Sequence, residues 1–413
     1  MERAMKVQEV ILRALARKLT WWQAAEILGI SDRSMRRWRE RYEEHGYDGL
    51  VDRRRGRPSG KRVPLALVEQ VLCLYRERYF DLNVLHFHEK LASEHGIGLS
   101  CTWVKLALQG AGLVSRGGRR GEHRKRRARR PVPGMLLHID GSERPWFQDD
   151  RWHDLIVILD DADSAIYYAQ LVEEESTATV MAGLRDVVER EGVFCSLYSD
   201  RGSHFRLTPK AGEPVDKQRL TQVGRAMRDL GIQMIPAYSP QARGRSERSF
   251  GTWQGRLPQE LRLRGIQTLE EANRFLREVY IAEFNARFKV AAEQPGTAFT
   301  PLGGQHLDRI FSLQHSRVVG KDNTVQFENL ALQIERVAWR GTLAGCAITM
   351  HQHLDGSLSL AYGPHPLGSF SPDGRPRAPA PAAAKRPEKT AAPPPWKSLR
   401  DSHFTGLPAA AGQ

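Results

Sequence analysis

The chain has 413 residues, with 62 lysines and arginines against 48 aspartates and glutamates, a net charge of +14. That length supports two to four domains with separate cores, and the positive balance calls for a polyanionic partner, either nucleic acid or an anionic membrane surface. No apolar run reaches membrane-spanning length, and no charged segment followed by an apolar stretch opens the chain, so no membrane role and a cytoplasmic location are expected. Cys73, Cys101, Cys195 and Cys346 are isolated from one another, so they are expected to be buried free thiols of a reducing compartment rather than disulfides or a zinc site.

Residues 1–52 read as helical. Val7, Ile11, Leu12, Leu15 and Leu19 form one apolar stripe at helical spacing. Thr20 caps a second helix through Ala24, Ala25, Ile27 and Leu28 that stops at Gly29, and Ser31 caps a third, from Asp32 to Tyr42. A short helix, a glycine turn and an arginine-loaded helix follow one another in the order of a helix-turn-helix DNA-binding domain. Met35 and Trp38 would face inward, leaving Arg33, Ser34, Arg36 and Arg37 for a major groove. A merely solvated helical hairpin explains the arginines singly but not together with the charge and the element order.

Residues 53–63 form a basic linker. Its Arg55-Gly56-Arg57-Pro58 core resembles an AT-hook, with Arg55 and Arg57 in a narrow A·T minor groove; a flexible tether touching only phosphates fits equally well. Residues 64–113 predict a second helical, helix-turn-helix-like unit. One stripe runs through Leu65, Leu67, Val68, Val71, Leu72 and Tyr75, another through Val84, Phe87, His88 and Leu91. Ser100 caps its third helix, which offers Thr102 and Lys105 to DNA. His86 and His88 are expected to be packed or surface side chains, because Cys73 and Cys101 are too distant in sequence to complete a zinc site. A second basic linker, residues 114–134, has nine arginines and lysines between Arg116 and Arg130. Arg124, Lys125, Arg126 and Arg127 lie in that run, which should stay extended and condense onto phosphates.

Residues 135–300 alternate strand and helix patterns. Strands are predicted at Met135–Asp140, His153–Leu159, Ala165–Val172, Phe194–Ser199 and Gln233–Ala237. Helices are predicted at Glu174–Arg190 and Lys217–Leu230, then from Ser246 and from about Leu269 to Phe284. This pattern suits a mixed α/β sheet with helices on both faces. Asp140 and Asp200 close apolar runs, so each carboxylate is expected at a strand end, and Glu247 opens a helix after a Pro/Gly loop. Carboxylates presented this way can converge on divalent metal ions. Singly, each is explained as a turn or helix-cap acid. After Pro301 the pattern turns all-β, with hairpin signals at Val318–Val325 and His353–Leu358. A small β-barrel is expected over residues 301–366 and a disordered, Pro/Ala-rich tail over 367–413.

Four stretches carry a resemblance: His138-Ile139-Asp140-Gly141-Ser142, Tyr198-Ser199-Asp200-Arg201-Gly202-Ser203-His204-Phe205, Thr221-Gln222-Val223-Gly224-Arg225-Ala226, and Pro236 through Arg248, with Ser239-Pro240-Gln241-Ala242-Arg243-Gly244-Arg245-Ser246-Glu247-Arg248 the most specific part. The chain resembles bacterial insertion-sequence transposases of the ISNCY type, which have a retroviral-integrase-type core. The likeness runs from the N-terminal helices to near residue 360. It implies an RNase H-like catalytic fold and a DDE site, with Asp140 and Asp200 as the aspartates and Glu247 as the glutamate, together holding two Mg²⁺ (or Mn²⁺) ions. It further implies metal-dependent 3′-end cleavage at the element's terminal inverted repeats and strand transfer into target DNA. A dimer or larger assembly on double-stranded DNA, in the bacterial nucleoid, would do this.

Arg243, Arg245 and Arg248 would reach DNA phosphates, or else balance the acids. The stretch from Arg206 to Gln218 lengthens the loop after Asp200 relative to retroviral integrases. His204 either positions phosphate or water, or packs against Phe205, the simpler expectation. Two other functions fit parts of the sequence: a catalytically silent DNA-binding regulator of transposition, and a structure-selective RNase H-like nuclease.

Overall fold

The computed structural model describes residues 2–51, 62–116, 127–200, 202–206, 219–237, 244 and 246–377. Arg55, Arg57, Arg124, Lys125, Arg126, Arg243, Arg245 and the tail beyond residue 377 therefore lie outside the described residues. The chain divides into two compact units, Met1–Arg119 and Arg120–Gln413. Among the described residues, no helix is long and apolar enough to cross a membrane.

The first unit opens with α1 (Glu2–Leu15), α2 (Trp21–Leu28) and α3 (Asp32–His45). Thr20 and Gln23 form a reciprocal capping box at the start of α2, and Gly29 ends it at φ +61°, a conformation that glycine adopts without strain. Ser31 accepts from the Ser34 amide to cap α3. Val7, Val10, Ile11 and Ala14 pack against Ala24, Ala25 and Met35. Leu12 and Leu15, expected in that stripe, are instead exposed; the 7–10–11–14 spacing puts Val10 and Ala14 inward in their place.

The helices α4 (Leu65–Glu77), α5 (Val84–His95) and α6 (Cys101–Gly110) follow. The rings of Tyr75 and Tyr79 meet Phe87 at 5.0 and 5.6 Å, beside fully buried Leu91, Val104 and Leu108. His88 bonds through Nε2 to the Leu99 carbonyl at 2.7 Å, and His86 is buried, so both are packing histidines. The cysteines are free but none is buried: Cys73 and Cys195 are exposed, Cys101 and Cys346 half-buried. Apolar neighbours in sequence do not decide which side of an element meets solvent.

The second unit is built on a five-stranded sheet made of β1 (Leu137–Arg144), β2 (His153–Asp160), β3 (Ile166–Val172), β4 (Ser196–Ser199) and β5 (Gln233–Pro236), in the order β3-β2-β1-β4-β5. β1, β2 and β3 are antiparallel neighbours, while β4 and β5 run parallel to β1. One face carries Leu137, Ile139, Ile156 and Ile158 against α7 (Thr177–Glu191) and α8 (Gln222–Asp229). The other carries Leu155, Val157 and Leu159 against α9 (Ser246–Gln254), α10 (Leu257–Arg264), α11 (Leu269–Phe275) and α12 (Ile281–Phe288). Strict alternation along β2 thus feeds two cores, as a sheet covered on both faces requires.

The edge strand β3 is closed by two asparagines. Asn273 accepts from the Leu171 amide at 2.7 Å and donates to the Leu171 carbonyl at 2.8 Å; Asn285 does the same at Ile166, at 2.8 and 2.9 Å. A π-helical turn, Leu276–Tyr280, lies between them. It inserts about one residue, leaving roughly 11 for three α-turns, so both amides point the same way. The helix rises about 18 Å between them, against about 17 Å for the five strand residues they span.

Beyond α13 (Leu307–Ile310), β6 (Leu313–Val318), β9 (Ala347–Gln352), β10 (Leu358–Tyr362), β11 (His365–Phe370) and β12 (Pro376–Arg377) make a five-stranded sheet in the order β12-β11-β10-β9-β6. The hairpin β7 (Thr324–Phe327) and β8 (Leu330–Gln333) pairs only with itself, yet Val325, Phe327 and Leu332 share the core of that sheet. Among the described residues these pairings form an open sheet plus a hairpin, without ring closure. The sheet also runs to Arg377, so the expected boundary at residue 366 falls inside β11: glycine and proline near Gly368 marked a strand rather than a tail.

Candidate active site

Asp140 was expected at a strand end. It lies instead fourth in the eight-residue β1, opposite Val157 and only 7% exposed, because the antiparallel hairpin with β2 carries β1 on to Arg144. Asp200 does stand immediately after β4. The parallel register pairs Leu137 with Leu197 and His138 with Tyr198, an offset of 60 residues that also separates Asp140 from Asp200. Neighbouring strands lie about 4.8 Å apart, and the pairing ends two residues before Asp140 on β1 and before Asp200, which follows β4. Side-chain alternation puts Asp140 on the face opposite Leu137 and Ile139, the face on which the His138 and Tyr198 rings meet at 5.1 Å, and Asp200 follows Ser199 at the end of the neighbouring β4.

That face is the one covered by α9. Gln254 donates from Nε2 to Ser142 Oγ at 3.0 Å, and Ser142 is two residues beyond Asp140 on the same side of β1. Glu247, exposed in the first turn of α9, precedes Gln254 by seven residues, two helical turns and about 10.5 Å on the same side of the helix. Phe250 and Trp253 bury the helix between them. Among the described residues, however, no three His, Cys, Asp or Glu side chains are gathered closely enough to hold a metal ion. Asp140 lies within β1 and Asp200 just after the neighbouring β4, and Glu247 stands in the first turn of the covering helix without closing onto them.

Asp200 is held by its own turn: Oδ1 accepts from the Gly202 amide at 2.8 Å. His204 bonds through Nδ1 to Thr177 Oγ1 at 3.0 Å, so it ties the turn to the start of α7, while Phe205 alone enters the core. Sequence reasoning missed Glu175, whose Oε2 would lie 2.1 Å from a Cβ at residue 141. A side chain at position 141 would displace this flexible carboxylate, a further acid that stands beside the β1 backbone next to Asp140. The one signal for it was the Glu174-Glu175 pair just before the Ser176 cap.

At the opposite end of β1, Asp160, Asp161 and Asp163 are fully buried. Burial pushes the Asp160 carboxyl up to about 6, against the bonds from the Gly134 and Ala162 amides that favour its charged form. Asp161 receives His138 Nε2 at 2.9 Å, the Arg130 amide at 2.9 Å and the Arg127 guanidinium. Arg129 bonds to the Asp161 and Ala162 carbonyls and to Ser164. Arg127, expected to lie on phosphates, is thus paired with a buried acid: a buried carboxylate has to be compensated, and this end of the basic linker does so.

On α3, Arg33, Arg36 and Arg37 are exposed while Met35 is buried, and Ser34 is half-buried with its hydroxyl 3.0 Å from Ser31 Oγ. Thr102 and Lys105 share the exposed side of α6. Arg248 is exposed and donates from Nε to the Gly244 carbonyl at 2.7 Å.

A family model described as "Winged helix-turn helix" matches residues 10–65. The chain is 32% identical over 370 residues to "Putative transposase y4bF" of Sinorhizobium fredii (strain NBRC 101917 / NGR234), covering 89% of this chain and 80% of the relative. It is 28% identical over 361 residues to the transposase for insertion sequence IS1202 of Streptococcus pneumoniae, covering 78% and 76%. Among solved structures it is similar to a chain of the simian T-cell lymphotropic virus intasome in complex with PP2A regulatory subunit B56 gamma, at 13% identity and a TM-score of 0.32, covering 63% of this chain and 91% of that one.

Proposed function

This chain belongs to the insertion-sequence transposases, and we propose that it cuts the 3′ ends of its element at the terminal inverted repeats and joins them to target DNA, using Asp140, Asp200 and Glu247. The observation that carries this is the parallel pairing of β1 with β4, which sets Asp140 and the Asp200 turn each two residues past the His138–Tyr198 pair, beside a helix whose first turn holds Glu247. The 3-2-1-4-5 order, with three antiparallel strands followed by two parallel ones, supports an RNase H-like core. The finer domain limits, apart from the one at residue 366, belong to the same proposal.

The donors fit a hard divalent cation: carboxylate oxygens suit Mg²⁺ or Mn²⁺ and discriminate against soft metals. Asp140 and Asp200 would be the first ligands, with Glu247 completing the set once α9 closes on them. Three like charges repel one another until a cation offsets them. Two bound ions would activate the attacking oxygen and stabilise the leaving one. The protein's part is to place the scissile phosphate. Arg248, with Arg243 and Arg245, would hold the DNA backbone beside Glu247. In the first unit, Arg33, Ser34, Arg36 and Arg37 would enter a major groove, with Thr102 and Lys105 as further contacts. Arg55, Arg57, Arg124, Lys125 and Arg126 would add phosphate or minor-groove affinity. Since two element ends are joined in concert, a dimer or larger assembly is expected on DNA.

The test is an assay with duplexes carrying the element's own terminal repeats. Mg²⁺-dependent nicking followed by joining is the expected result. Binding without cleavage would indicate a silent regulator, and cleavage without joining of a supplied 3′-hydroxyl end a nuclease.

A further inference from the structure

Gln222 and Arg225 belong to one of the stretches that carry the family resemblance, yet their bonds run from α8 to the C-terminal sheet. Gln222 donates from Nε2 to the Gln314 carbonyl at 2.8 Å and accepts from the Gln314 amide at 3.0 Å. Because β6 is an edge strand of its sheet, this side chain takes the place of a missing strand. Arg225 donates from Nη2 to the Ile310 carbonyl at 3.0 Å and the Ser312 carbonyl at 2.6 Å, and pairs with Asp229 at 3.2 Å. The Ser312 hydroxyl in turn lies 3.0 Å from His351 Nδ1 on β9.

The same helix holds the Asp200 turn from its other side. Thr221 Oγ1 accepts from the Gly224 amide at 3.0 Å and donates to the Phe205 carbonyl at 3.2 Å. The Phe205 and Arg206 amides both bond to the Gly202 carbonyl at 3.0 Å, and the Gly202 amide bonds to Asp200. Phe205 is anchored in the core, only 3% exposed. Bonded groups therefore link Asp200 to β6 through the first turn of α8.

We propose that Gln222 and Arg225 are positioning residues: they lock the C-terminal sheet to α8 and through it fix the turn that presents Asp200. A side chain that bonds both groups of one peptide unit constrains its translation and its rotation, as strand pairing does, and leaving buried partners unpaired is costly. The C-terminal sheet is then part of the apparatus that holds the second aspartate. For its catalytic consequence, this inference rests on the proposed metal role of Asp200.

The test is amide hydrogen exchange on the full chain, wild type beside Gln222→Ala/Arg225→Ala and the milder Gln222→Glu, which keeps the acceptor but cannot donate to Gln314. Exchange across residues 310–314 and 202–206 should rise together by about tenfold or more, while amides of β1 and β2 keep their protection. Gln222→Glu should move the same two segments less. Opening of 310–314 with unchanged exchange at 202–206 would overturn the coupling, as would no change in either segment. The Mg²⁺ concentration for half-maximal cleavage should also rise in these variants; coupled exchange with an unchanged Mg²⁺ requirement would overturn the positioning role. A wild type with no Mg²⁺-dependent cleavage would defeat the proposed reaction, leaving the exchange result to judge the coupling alone.

Discussion

Asp140 in β1 and Asp200, the residue just after the parallel neighbour β4, each lie two residues beyond the His138–Tyr198 pair whose rings meet at 5.1 Å. Sixty residues apart in sequence, they are brought to one region of the sheet by the pairing of β1 with β4. The core on either face of the sheet fixes that pairing: sliding β4 by one residue would turn Leu197 out of the core and Asp200 away from Asp140. A catalytic reading of this sheet therefore depends on register, which makes it open to test at several places.

DNA binding should map to α3. Replacing Arg36 or Arg37 by alanine should weaken binding to the terminal repeat and lower the slope of log affinity against log salt by about one unit for each phosphate no longer neutralised. Because these side chains are exposed and Met35 holds the core, the fold should be unaffected. A titration over several salt concentrations measures this; an unchanged slope and affinity for both variants would place the DNA elsewhere.

The asparagine clamps predict a stability effect far from the chemistry. Asn285→Ala leaves the Ile166 amide and carbonyl without their partner, at a cost of about 1–3 kcal/mol, and Asn273→Ala should do the same at Leu171. An edge strand with freed backbone groups also invites pairing between chains. Thermal unfolding with light scattering should show a lower transition and earlier aggregation in both variants. Asn→Asp at either site keeps the acceptor only and should fall between.

His351 predicts an acid-labile joint. Burial lowers its pKa to about 4, with the nearby His353, Arg309 and Arg225 adding to the effect. Its folded value lies below its ordinary value near 6.5, so the folded state disfavours the proton. The associated stability is complete above about pH 6.5 and is lost as the pH falls toward 4, on the order of 3 kcal/mol in all. Since His351 meets Ser312 beside the Arg225 contacts, protection of the amides of β6 and β9, corrected for intrinsic exchange, should decline over that window. A His351→Gln variant should lose most of that pH dependence.

Much of the local architecture was legible in the sequence because its causes are local. Thr20, Ser31 and Ser100 each cap the helix they were expected to cap, and the strand expected over His153–Leu159 matches β2 almost to the residue. Asp200 sits at its strand end because β4 stops at Ser199, level with Pro236 at the end of its parallel partner β5. Asp140 does not, since the length of β1 is decided by β2, a partner that no local pattern names. The same limit hid Asn273 and Asn285, whose targets lie 102 and 119 residues away, and concealed the attachment of Arg127 to buried Asp161. Leu12 and Leu15 misled because a leucine on a helix says nothing of which side is covered. Glu247 was legible as a helix-opening acid, but its approach to the aspartates is not a property of spacing.

The most direct measurement is the rate of Mg²⁺-dependent cleavage of a terminal-repeat duplex by Asp200→Asn, with its affinity for the same duplex determined in parallel. The account predicts a loss of at least about a hundredfold in cleavage, with binding nearly intact, because the substitution keeps the side-chain shape and removes the charge that a cation needs. Cleavage at the wild-type rate by this variant would contradict the assignment of Asp200 as a metal ligand and, with it, the site built on its register with Asp140.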